Sequence, residues 1–166
     1  WVFAAAIAAT LLATFDWGLI ASDRYVSEAR VVVQQADMSA DSVGTLPGIL
    51  GSLGGGQKDE QVLQNYLLSD DLLHKLDAKL HLREHYSDPR YDILSRMWSR
   101  DEPWEWFANY FGSRVSVGLD DTSGVLDISV QAYTKEMAQA IVAMMVSEGE
   151  RFMNDMVHRL AQDQVA

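Results

Sequence analysis

The chain has 166 residues, 48% of them hydrophobic and 22% charged, which suits one ordinary domain with a buried core and excludes a disordered tail. Lys and Arg number 13 against 24 Asp and Glu, so the net charge is -11 and the isoelectric point about 4.6. Such a surface repels a polyphosphate backbone, so no nucleic acid is expected as a partner. Cysteine is absent, which removes disulfide staples and thiolate metal sites but fits an oxidising or a reducing compartment equally.

The opening run at 1–15, WVFAAAIAATLLATF, carries no charge and is apolar all round a helix. A signal peptide would show a basic flank and an A-x-A-like cleavage site, and a core helix would show polar positions at helical spacing. Lipid explains the pattern better. Asp16 and Trp17, then Asp23 and Arg24, have the makeup of a membrane boundary, so 1–21 reads as a transmembrane helix. A span takes about 20 apolar residues, which places its first turn or so upstream of Trp1. Ala5, Ala9 and Ala13 share one face at the small-residue spacing that lets membrane helices approach, and with Trp17 they form a candidate packing surface. The plainer reading is that alanine is common in membrane helices.

The stretch 25–34, YVSEARVVVQ, is short and rich in β-branched residues and predicts a strand. A Ser, Asp and Gly-rich loop follows over 35–57, with its Gly-rich part at 44–57. Its apolar tip, Leu46, Ile49, Leu50 and Leu53, is a candidate contact with a partner or a second copy. Helical spacing returns over 59–68 through Val62, Leu63, Tyr66 and Leu67. Ser69 then has the character of an N-cap, with Asp70 and Asp71 where a helix dipole favours carboxylates. The helix it starts carries Leu72, Leu73, Leu76 and Leu80 and is expected to run to the Ser87-Asp88-Pro89 stop.

Asp101, Glu102 and Pro103 open a further helix with Trp104, Phe107, Ala108 and Phe111 on one stripe. From 114 to 133 the apolar residues alternate twice, as Val115, Val117, Leu119 and as Leu126, Ile128, Val130, Ala132, around DDTSG. That is a β-hairpin with one buried face. Thr134 caps a long helix whose seam runs through Met137, Ile141, Met145, Phe152, Met156 and Leu160 with no stop signal before Ala166. Both ends therefore read as cut from a longer protein. The fold class expected is α+β: an N-terminal transmembrane helix at 1–21, a base domain at 22–133 with a small mixed or antiparallel sheet and packed helices, and the start of a long helical arm at 134–166.

Four constellations could carry chemistry. GSLGGGQKD at 51–59 departs from a phosphate-binding loop at Gln57 and Asp59, and no strand leads directly into it. HLREH at 81–85 fits the H-x-x-E-H zinc pattern, with His81, His85 and the would-be base Glu84, but it lies at a helix end without a third ligand or a cleft. Asp70-Asp71 and Asp120-Asp121 are sequence neighbours whose side chains diverge, unlike the facing carboxylates of a glycosidase. The group Trp98, Trp104, Trp106, Phe107, Tyr110 and Phe111 could stack on sugar rings, although packing between helices is the simpler use. No catalytic, cofactor or metal residue is assigned, and no enzyme is expected.

Several segments together resemble the capsule polysaccharide export inner-membrane family, the polysaccharide co-polymerases associated with ABC transporters and related to O-antigen chain-length determinants. YVSEARVVVQ at 25–34 is similar to the family's first periplasmic strand, and NYLLSDDLLHKLDAKLHLREHY at 65–86 to its helix pair around a serine. SGVLDISVQAYTKEMAQAIVAMMVSEGERFMN at 123–154 is the most specific stretch, a strand followed by an alanine-rich helix with Ser-Glu and then Asn. The resemblance implies an inner-membrane protein with its main domain in the periplasm and a homo-oligomeric ring. It also implies coupling of an ABC transporter permease to an outer-membrane polysaccharide exporter while capsular polysaccharide passes, with no cofactor. The family's descending arm, returning strand and second span have no counterpart in this sequence, so the small sheet is expected to leave an edge for that strand or for a neighbouring subunit. The alternatives are an O-antigen chain-length regulator, a periplasmic zinc peptidase built on His81, Glu84 and His85, and a membrane-anchored sensor binding a small ligand.

Overall fold

The computed structural model describes residues 1–19, 22–32, 56–120 and 123–163. Helix α1 spans Val2–Leu19, and each of its described side chains is exposed. Its 18 residues rise about 27 Å at 1.5 Å per residue, short of the roughly 30 Å hydrocarbon core of a bilayer. Among the described residues no helix is long and apolar enough to cross a membrane, so the transmembrane helix expected over 1–21, with its first turn upstream of Trp1, is not found as a span.

Strand β1 (Tyr25–Val32) leads to α2 (Gly56–Leu67), α3 (Asp70–Leu80), α4 (Leu82–Tyr86) and α5 (Trp104–Gly112). The hairpin β2 (Val115–Asp120) and β3 (Val125–Ala132) feeds α6 (Lys135–Asp163). The architecture is α+β, and the sheet is wholly antiparallel in the order β1-β3-β2. β3 holds the centre, pairing Tyr25 with Ala132 through Val32 with Val125 on one side, and Val115 with Val130 through Asp120 with Val125 on the other.

The alternation in the hairpin sets which face is buried. Leu126, Ile128, Val130 and Ala132 point into the core with Val115 and Val117, and the half-buried Ala29 and Val31 extend that face across β1. The opposite face is mainly polar, with Val26 and Val32 exposed on β1, and Arg30 Nε meets Asp127 Oδ1 across the strands at 3.0 Å. Helix α6 lies over the core face through Ala138, Ile141, Val142 and Met145. Gly149 permits α2 to approach, since a Cβ there would sit 3.2 Å from Leu63 Cδ1 and 3.4 Å from Leu67 Cδ2. Past Gly149 no described residue of α6 is fully buried, and the helix continues beyond its cover.

Two boundaries differ from the sequence reading, and positions 33 and 34 of the expected first strand lie outside the described residues. Helix α2 starts at Gly56 because Gln57 and Lys58 are good helix formers that extend the pattern backwards. The single helix expected from 70 to 86 breaks at His81, which adopts φ 53 and ψ 49. Its N–H closes α3 on Asp77 O at 2.9 Å, and Asp77 Oδ1 accepts the Arg83 N–H at 3.0 Å to start α4. A left-handed non-glycine residue costs about 1–2 kcal/mol, offset here by the burial of Leu82 and Tyr86. The Tyr86 hydroxyl then donates to Gln131 O at 2.7 Å and ties the helices to β3.

The caps match their expectations. Ser69 Oγ accepts the Leu72 N–H, with Asp70 and Asp71 in the first turn, and Thr134 Oγ1 accepts the Met137 N–H at 3.2 Å.

Candidate functional site

On α1 the residues Ala5, Ala9, Ala13 and Trp17 recur every fourth position and so fall on one stripe of the helix, with Ala5 and Ala9 exposed. Thr10 Oγ1 donates back to Ala6 O at 2.8 Å, which satisfies its hydroxyl within the helix. Leu46, Ile49, Leu50 and Leu53 lie outside the described residues.

The H-x-x-E-H segment is occupied with structural work. His81 interrupts the helix instead of riding on it, and Glu84 Oε1 pairs with Arg100 Nη1 at 2.6 Å. His85 Nε2 accepts the Tyr133 N–H at 3.1 Å, which requires that nitrogen to be unprotonated. Burial lowers the His85 pKa in the same direction, with Asp88 opposing and Arg90 assisting. Among the described residues no group of three or more His, Asp or Glu is placed to hold a metal ion.

The aromatic group divides. Phe107 and Phe111 are core residues, and Trp104 is half-buried, stacked on His74 at 3.5 Å between ring centroids with the Arg83 guanidinium 5.3 Å from its own. The packing reading holds for these rings. Trp98 and Trp106 are exposed, and with Leu94, Arg96, Tyr110 and Arg114 they line a groove of about 560 Å³.

The floor of that groove is a hydrogen-bonded cluster that sequence reasoning missed. Ser95 O accepts Tyr110 Oη–H and Arg114 Nη2–H, each at 2.8 Å, and the Tyr133 hydroxyl lies 3.1 Å from that of Ser95 and 3.2 Å from that of Tyr110. Burial raises the Tyr110 pKa, and its hydrogen bond with Tyr133 adds to the shift. Asp92 joins this cluster to the chain leaving α1: Ser22 N–H donates to Asp92 Oδ2 at 3.1 Å, and Asp92 N–H donates to Ser22 Oγ at 2.8 Å. Burial alone would raise the Asp92 pKa, but hydrogen bonds from Ser95, Ser22 and Leu94 together hold it low. The segment 90–99 has no helical or strand period, so only its Asp-x-x-Ser turn chemistry could have hinted at the arrangement.

A second assembly of side chains fixes the root of α6. The buried Glu148 carboxylate lies 3.1 Å from Lys75 Nζ and 3.8 Å from Lys79 Nζ on α3. Its hydrogen bond with Lys75 lowers the Glu148 pKa against the opposing effect of burial. Lys75 also donates to Tyr66 Oη at 2.9 Å, and Tyr66 stacks on Phe152 with centroids 4.1 Å apart. Beside this clamp a groove of about 290 Å³ runs between Val32 of β1, Leu67 of α2 and Met145, Glu150, Met153, Asn154 and Val157 of α6. Among the described residues β1 pairs with β3 alone, so its outer edge carries no strand.

No family model matches the chain. It is 35% identical over 151 residues to the capsule polysaccharide export inner-membrane protein KpsE of Escherichia coli, covering 89% of this chain and 39% of that protein. It is 33% identical over 160 residues to BexC of Haemophilus influenzae, with 94% of this chain and 42% of the relative covered. To CtrB of Neisseria meningitidis it is 31% identical over 163 residues, with 94% and 41% covered. All three carry the same descriptive name, and the matches span both caps, the hairpin and the root of α6. The chain is therefore a homologue of the capsule polysaccharide export inner-membrane proteins, over the roughly two fifths of their length that it spans.

Proposed function

We propose that the protein is a non-catalytic, ring-forming component of capsular polysaccharide export, seated in the bacterial inner membrane with its main domain in the periplasm. In this reading α1 is the outer end of a membrane span that continues upstream, and its Ala5, Ala9, Ala13 face packs against the transporter or a neighbouring subunit. The ring couples an ABC transporter permease to an outer-membrane exporter and encloses the polymer's path. The homology over nine tenths of the chain carries the proposal. The β1 edge and the distal length of α6, unpaired and uncovered among the described residues, and the groove beside them support it, because each is a surface that an assembling subunit presents. The net charge of -11 suits passage of an often anionic polymer by weak repulsion.

The test is purification of the full-length protein from membranes, with oligomer size and co-purifying proteins measured. A ring with an ABC transporter attached is the expected result, and a monomer without partners overturns the reading. Polymer retention that rises when surface carboxylates are neutralised supports the repulsive conduit, and unchanged retention sinks it.

A further inference from the structure

We propose that the segment 93–98, together with Trp106, is a seat on the bilayer surface beside α1, a proposal that rests on the reading of α1 as membrane-inserted. Four large apolar side chains are exposed there, Ile93 at 63%, Leu94 at 75%, Trp98 at 83% and Trp106 at 70%. Exposed apolar side chains in that number, three on the 93–98 segment and one on α5, mark an interaction surface. Covalent and hydrogen-bonded geometry determine what it meets. Leu19 ends α1, and three residues later Ser22 is tied to Asp92 by two reciprocal hydrogen bonds, so the chain can separate the two points by no more than about 11 Å. Sheet register gives the same placement. Tyr25 pairs with Ala132 at the end of the sheet where the chain enters from α1, and Arg114, in the floor of the groove, precedes Val115 at that end. The hairpin turn lies at the opposite end.

The chemistry is that of a membrane interface. Tryptophan concentrates at headgroup level, where its apolar body and polar N–H are both accommodated, and aliphatic side chains reach the acyl boundary below. Arg96 and Arg114 line the groove beside the rings, and among the described residues neither is in an ion pair. Glu102 lines the same groove, but two guanidinium groups in so acidic a chain leave this spot attractive to lipid phosphate. The surface thus fixes the tilt of the base domain as well as its anchorage.

The test uses the absence of cysteine. Ile93→Cys and Leu94→Cys are each labelled with a nitroxide in the full chain, reconstituted in vesicles of phosphatidylethanolamine and phosphatidylglycerol. Ile7→Cys reports on α1, and Ser123→Cys, at the hairpin turn, is the aqueous control. The expected result is that the labels at 93 and 94 collide more with oxygen and less with a water-soluble nickel chelate than the label at 123. Labels at 93 and 94 as aqueous as that at 123, with Ile7→Cys in lipid, overturn the seat while the anchor stands. An aqueous label at 7 as well overturns both readings. Labels at 93 and 94 that are aqueous on vesicles but immobilised by added soluble capsular polysaccharide overturn the seat and assign the groove to sugar.

Discussion

Replacing Glu148 by Gln tests how the root of α6 is held. The substitution keeps shape and removes charge, so it isolates the carboxylate's contacts at 3.1 Å to Lys75 and 3.8 Å to Lys79. A hydrogen bond between charged partners contributes about 1.5–3 kcal/mol when shielded, whereas an exposed ion pair contributes about 0.2–1 kcal/mol. Glu148 is buried, but the Lys75 and Lys79 side chains are 49% and 66% exposed, so solvent screens the pair from one side and about 1 kcal/mol is expected. The sign with pH follows from the lowered carboxyl pKa. The stabilisation is present above the ordinary value of 4.5 and is lost as pH falls through the folded-state value. The assay is urea unfolding of the full chain in mild detergent, followed by far-ultraviolet circular dichroism, for Glu148→Gln, Lys75→Met and the double variant. Coupling below about 0.3 kcal/mol, or acid sensitivity in this window unchanged in Glu148→Gln, refutes the clamp.

His85 predicts a second pH window. Its folded pKa is lowered, so its contribution is full above the ordinary 6.5 and declines as pH falls towards the folded value; His85→Gln flattens the unfolding midpoint across that interval. Phe107→Ala is expected to cost about 3–5 kcal/mol while its exposed neighbour Trp106→Ala stays within about 0.5 kcal/mol in the same denaturation assay, and equal losses would undo the division of the aromatic group. Gly124 has φ 66, and a Cβ there would lie 2.8 Å from Glu60 Oε1. Gly124→Ala should therefore lose at least about 1–2 kcal/mol, read as a lowered thermal midpoint.

The elements that could be read from sequence are those whose signal is local. Alternation gave both hairpin strands and their inward residues, and Ser69 and Thr134 announced their helices through side-chain oxygens that do cap them. The break at His81 carries no Gly or Pro, because the reason for it is the burial of Leu82 and Tyr86, a tertiary demand. Strand order was equally hidden, since β1 and β3 pair across about a hundred residues of chain. The aromatic cluster was visible as composition, but which rings face water depends on how α5 lies against the sheet. The Ser22–Asp92 bridge joins two segments without any periodic pattern.

The junction between β3 and α6 has a mechanical consequence. Only Tyr133 and Thr134 separate the central strand from a helix of 29 residues, about 44 Å long, and Tyr133 is buried. With Glu148 held by Lys75 and Lys79 of α3 and Phe152 stacked on Tyr66 of α2, the helix is mounted through Met153, and among the described residues its last ten, about 15 Å, stand out as a cantilever. A small rocking of the sheet displaces the far tip by a lever arm of many ångströms, and a load applied at the tip returns as torque on β3. The three-stranded sheet is in that sense a bearing, and the angle at which it sits sets where the distal end of the helix points.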